Sequence, residues 1–69
     1  MTRVEEFISD LFNDESRYHY PPDKMTLHQA RYNLEEYLEE ESVDVPDDLS
    51  PLLFMRLWNS LVDFCWDNM

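Results

Sequence analysis

The sequence contains no glycine, one cysteine and only 5 Lys or Arg among 69 residues. Without glycine, the tight hairpin turns that need positive φ lose their usual residue. A glycine-rich loop that cradles phosphate is excluded outright. A single cysteine, Cys65, excludes an internal disulfide and fits a reducing, cytoplasmic setting. The few bases face 16 acids, for a formal net charge of −11. Such a chain lacks the cations that hold nucleic-acid phosphates, so direct nucleic-acid binding is not expected. Anionic membrane surfaces repel it for the same reason. No long uninterrupted apolar run is present: Arg56, Asn59, Ser60 and Asp63 interrupt the most hydrophobic segment. The amphipathic stretch MTRVEEFISD does not read as a targeting segment.

What is present is a folded-protein composition, 43% hydrophobic and 14% aromatic, which acidic disordered tails lack. At 69 residues the chain is one domain, residues 1–69, and a small one that buries only about 60% of its unfolded surface. No segment alternates with period two. The expected class is all-α: a compact three-helix domain with its third helix as the central apolar element.

The first helix is expected at about residues 3–13. Thr2 and Glu5 have capping-box spacing, and Val4, Phe7, Ile8, Leu11 and Phe12 form one stripe at helical period. Pro21 and Pro22 break the chain next, with Tyr18 and Tyr20 expected against the edge of the core and a short extended or 3₁₀ piece as one local form. The second helix is expected at 27–41. Thr26 and Gln29 form its capping box, Met25 and Ala30 its hydrophobic staple, and Leu27, Ala30, Leu34, Tyr37 and Leu38 its buried stripe. The third is expected at 51–66, with Ser50 as N-cap, Pro51 at N1 and Leu49 with Phe54 as staple. Its apolar residues cover roughly 220° of the helix, more than one packed face needs. Either the other two helices cover it, or Leu52, Met55 and Trp66 remain for a second chain, which makes a homodimer through the third helix the alternative.

Chemistry of the enzymatic kind finds little support. His19, His28 and Cys65 have no metal-ligand spacing, and Asp44, Asp47 and Asp48 lack the glycine and terminal glutamate of a calcium loop. No metal, cofactor or catalytic residue is expected. Cys65 sits on the apolar stripe, as a small hydrophobe does. His28 reads as a surface residue.

The acids are the unusual feature. NLEEYLEEESVDVPDD, residues 33–48, carries Glu35, Glu36, Glu39, Glu40, Glu41, Asp44, Asp47 and Asp48 and no base. On a helix the pairs Glu35/Glu39 and Glu36/Glu40 lie about 6 Å apart, close to the spacing of successive phosphates along a nucleic-acid strand. Tyr32 projects into the middle of this arc. Glu39, Glu40 and Glu41 stand where the helix dipole disfavours acids by a few tenths of a kcal/mol each. Glu5, Glu6 and Asp10 form a second patch on the first helix. Solvated faces ordinarily mix both signs.

In size, charge and the run LEEYLEEESVDVPDD, the chain resembles the small acidic inhibitors of phages and mobile elements, the DNA-mimic anti-restriction and anti-CRISPR proteins. That resemblance implies a non-enzymatic inhibitor of a nuclease or CRISPR-type effector complex. Its partner would be a basic nucleic-acid-binding protein or complex, met through Tyr32, Glu35, Glu36, Glu39, Glu40, Glu41, Asp44, Asp47 and Asp48. The chain also looks like acidic helical immunity proteins that neutralise nuclease toxins. A small dimeric adaptor whose acids only solvate it is the remaining alternative.

Overall fold

The computed structural model describes residues 2–16 and 21–68. Three helices follow one another: α1 at Arg3–Ser16, α2 at Leu27–Glu39 and α3 at Pro51–Asp67, with no strand among the described residues. The chain is an all-α three-helix domain. Tyr18, His19 and Tyr20 lie outside the described residues.

Local signals set the helix starts. The Thr2 hydroxyl accepts the Glu5 N–H. Thr26 and Gln29 close a full capping box: the Thr26 hydroxyl accepts the Gln29 N–H at 3.2 Å, and the Gln29 side chain accepts the Thr26 N–H at 2.9 Å. Ser50 caps α3 by accepting the Leu53 N–H, with Pro51 in the first turn where its missing N–H costs nothing. Both staple pairs are buried: Met25 with Ala30, and Leu49 with Phe54.

Two helix ends differ from expectation. α1 continues through Asp14, Glu15 and Ser16, because no breaker stands between Asn13 and Pro21. The Ser16 hydroxyl turns back to the Asn13 carbonyl. α2 stops at Glu39, two residues short of the expected end. Glu40 is already extended, at φ −81° and ψ 124°. Three consecutive carboxylates at the negative end of the dipole favour leaving the helix there.

α3 is central. α1 and α2 both pack along it. The core is Val4, Ile8 and Phe12 from α1, Ala30 and Leu34 from α2, and Phe54, Trp58 and Val62 from α3. Met25, Val45 and Leu49 close it from the connectors. Five rings cross the molecule in a row. Phe7 meets Tyr37 edge-on at 6.0 Å, and Tyr37 lies parallel to Phe54 at 6.2 Å. Phe54 leads to Trp58, and Trp58 meets Phe12 edge-on at 5.3 Å. Such ring pairs add about 0.5–1.5 kcal/mol each beyond their buried area.

The connector at 21–26 is pinned to α3 by polar contacts. Asn59 accepts the Met25 N–H at 2.7 Å and donates to the Met25 carbonyl at 3.0 Å. Trp58 Nε1 donates to the Asp23 carbonyl, and Lys24 pairs with Asp63 at 2.8 Å.

Part of the expected stripe of α2 is corrected. Leu38 is 65% exposed. At 100° per residue it falls beyond the arc of Ala30, Leu34 and Tyr37, which meets α3 and α1, so neither neighbour reaches it. Cys65, read as buried, is half-buried. Not all of α3 is covered, since Leu52, Leu53, Phe64 and Trp66 are exposed.

Candidate partner-binding surface

All nine residues singled out in the sequence, Tyr32, Glu35, Glu36, Glu39, Glu40, Glu41, Asp44, Asp47 and Asp48, are exposed. Two different supports hold them. Tyr32, Glu35, Glu36 and Glu39 ride on α2, whose inner side is anchored by buried Ala30 and Leu34 and by the Tyr37 ring on Phe54. The remaining acids sit on the connector from 40 to 50. That connector is held from beneath by buried Val45, Pro46 and Leu49. Turn bonds from Val43 N–H to the Glu40 carbonyl and from Leu49 N–H to the Pro46 carbonyl brace it further. Between buried Leu34 and buried Val45 the inward residues are half-buried Tyr37 and Val43, and Val45, Pro46 and Leu49 flank Asp44, Asp47 and Asp48.

Tyr32 is tied into this face. The Glu36 carboxylate beside its hydroxyl, acting first through hydrogen bonding and then through charge, raises its pKa above 10.0, with smaller contributions from desolvation and the Glu39 charge. The phenol thus stays neutral among the acids. Tyr37 is raised as well, first by burial and then by the negative charges of Glu15, Glu40 and Glu36. That ordering reveals a residue the sequence reading missed. Glu15 of α1 reaches the same electrostatic neighbourhood as the acids of α2. No local signal announces it, because only the longer α1 and the packing of the helices bring it there.

Among the described residues, one carboxylate of the row has a counter-ion. Arg3 at the start of α1 donates to Asp44, 41 positions away. Both side chains are largely exposed, so the pair contributes little to stability, about 0–1 kcal/mol. It links the connector to α1 and offsets part of the charge at Asp44. Glu5, Glu6 and Asp10 are exposed on α1, and Glu5 lines a cleft with Ile8, Ser9, Leu57, Ser60 and Leu61.

A broader, open groove of about 500 Å³ lies between the 21–26 connector and α2, where His28, Tyr32 and Asn33 face Asp23 and Trp58. His28 is exposed there. Among the described residues, no group of three or more His, Cys, Asp or Glu is placed to hold a metal ion. None of the helices is long and apolar enough, over the described residues, to cross a membrane. No protein-family model, curated protein or solved structure matches the chain.

Proposed function

We propose that this protein is a non-enzymatic inhibitor that occupies the basic nucleic-acid-binding surface of a nuclease or CRISPR-type effector complex, presenting carboxylates where that surface expects phosphates. The observation that carries this reading is the exposure of eight carboxylates along 35–48 on a backbone anchored from beneath. A disordered acidic tail cannot hold charges at a set spacing, and a packed helix does. Glu35/Glu39 on α2 give the row a helical pitch of about 6 Å, and Glu40 follows at the C-terminal cap of that helix. Tyr32 supplies a flat contact among them, the kind of residue that anchors interfaces. A molecule of net charge −11 steers rapidly to a cationic groove, and its binding weakens as salt rises.

The test is competition. The wild-type chain should displace a labelled oligonucleotide from the basic nuclease or complex it captures at low salt. The double reversal Glu36→Lys with Glu40→Lys should keep helical circular dichroism and lose displacement by at least tenfold. Equal displacement by that variant overturns the reading.

One observation favours a second reading, a small adaptor that dimerises through α3. Leu52 and Trp66, two of the three residues singled out for that role, are about half exposed at 50% and 47%. Sedimentation of Leu52→Glu and Trp66→Glu separates the two. Loss of a dimer with an indifferent acidic face supports the adaptor.

A further inference from the structure

We propose that the cleft between α1 and α3 is a docking groove for an amphipathic helix of a partner protein that carries Lys or Arg along one flank. This goes beyond the mimicry reading and uses a different face. At 100° per residue, Leu53, Leu57, Ser60 and Phe64 fall within about 60° of one another on one edge of α3, with Leu61 beside them. Their spacings of four, three and four residues are those of a heptad seam, the pattern that receives a second helix. Among the described residues, no element covers that seam. Leu53 and Phe64 are exposed, Phe64 by 67%, while Leu57 and Leu61 are half-buried.

The seam also has a hole. Ser60 on α3 faces Ser9 on α1, and the two small side chains leave a cleft of about 220 Å³ walled by Ile8, Leu57 and Leu61. That is below the roughly 300 Å³ of the smallest small-molecule sites. It suits one large apolar side chain entering as a knob between the helices.

Charge selects the occupant. Glu5 lines the cleft, and among the described residues no cation does. Glu6 and Asp10 extend the acidic side of α1. A second copy would bring its own −11 and the same acidic edge toward this one. An apolar helix with a basic flank fills the hole and pairs with Glu5.

The experiment titrates the isotope-labelled full chain with a synthetic heptad-patterned leucine–lysine peptide and follows the backbone amides by NMR. The same peptide with its order scrambled, and a leucine–glutamate peptide, serve as controls. The heptad peptide should shift Ser9, Leu57, Ser60 and Leu61, and neither control should. Leu53→Ser with Phe64→Ser changes two exposed residues and should weaken binding about tenfold at unchanged helicity, a loss of about 1.4 kcal/mol. Glu5→Gln should weaken it about two- to fivefold. The reversal of Glu36 and Glu40 should leave these cleft shifts in place, so failure here and failure of the mimicry reading are distinguishable. Shifts confined to residues 35–48, equal binding of the scrambled or the acidic peptide, or a wild-type dimer in sedimentation that Leu53→Ser with Phe64→Ser abolishes would each overturn the proposal.

Discussion

Asn59 does more for this fold than its side chain suggests. It spans the Met25 backbone, accepting from the N–H and donating to the carbonyl, and so stands in for a neighbouring strand or helix turn. Asn59→Ala leaves both backbone groups without that partner in a half-buried place. The expected loss is about 1–3 kcal/mol. A change of that size lowers the thermal midpoint by roughly 4–8 °C per kcal/mol in a domain this small. Asn59→Asp should lose nearly as much, because it keeps the acceptor, drops the donor and adds a charge one turn from Asp63. A midpoint within a degree or two of wild type for either variant would show that the clamp is dispensable. The two raised phenols supply a pH prediction. Both Tyr32 and Tyr37 hold their protons more tightly folded than unfolded. Above pH 10.0 the unfolded chain therefore releases protons that the folded chain keeps, so stability falls as pH rises past 10.0 and on through the raised folded values. Urea midpoints from pH 9 to 11 should drop, and Tyr37→Phe should flatten the drop. The role of Asn59 was not legible in the sequence, whereas Tyr32 already stood among the acids and Tyr37 on the buried stripe. Asn59 read as part of the polar remainder of α3, and its partner lies 34 positions away.

At the scale of elements, the sequence was most informative where the physics is local. Caps, staples and the Pro51 start all depend on residues within one turn: the Thr26 box, the Ser50 cap and both staples stand where their spacing implied, and Thr2 shows the hydroxyl half of its box. Thr26→Ala and Ser50→Ala should each cost about 1 kcal/mol. Thr26 should cost the more, because its capping box is reciprocal; equal losses would mean that the Gln29 half of the box contributes nothing. The elements were least legible where the deciding contact comes from another helix. Leu38 fits the periodic stripe of α2, yet α3 meets that helix on the side of Ala30 and Leu34 and leaves Leu38 in water. Apolar periodicity gives the angular position of a residue but not the width of the neighbour that covers it. The end of α2 is a contest of a different kind. Glu39 closes a helix whose last turn has no base. Glu39→Lys should gain a few tenths of a kcal/mol from the dipole. The same change removes a carboxylate from the proposed binding row. Stability and competition should thus move in opposite directions in one variant. A variant that is neither more stable nor a weaker competitor would indicate that both the dipole argument and the row are misassigned.

Charge is a property of the whole molecule, and its consequence follows from dimensions. The fold spans 34 × 22 × 22 Å. At about 0.01 M salt the screening length is about 30 Å, so carboxylates on α1, on α2 and on the connector repel one another across the full thickness of the protein. At about 0.1 M it is about 10 Å, and only neighbours within the row interact strongly. A net charge of −11 on so small a body opposes compaction, and the unfolded chain relieves that repulsion by expanding. The thermal midpoint should therefore climb as sodium chloride rises from about 0.01 to 0.3 M, most steeply at the low end. Preferential exclusion of salt also stabilises compact states, but it grows with concentration and is largest in the molar range. The shape of the curve therefore separates the two causes. Glu36→Gln with Glu40→Gln should flatten the early rise, because it removes two charges from the densest part of the field. A midpoint that is flat below 0.3 M and rises only in molar salt would mean that the acids are too well solvated to strain the fold. The same screening should weaken the capture of a basic partner over that range. One set of carboxylates would then destabilise the free protein most under the conditions in which it binds best. That opposite pair of salt slopes is what distinguishes a surface charged for a partner from one charged for solubility alone, whose loss of binding would have nothing to follow.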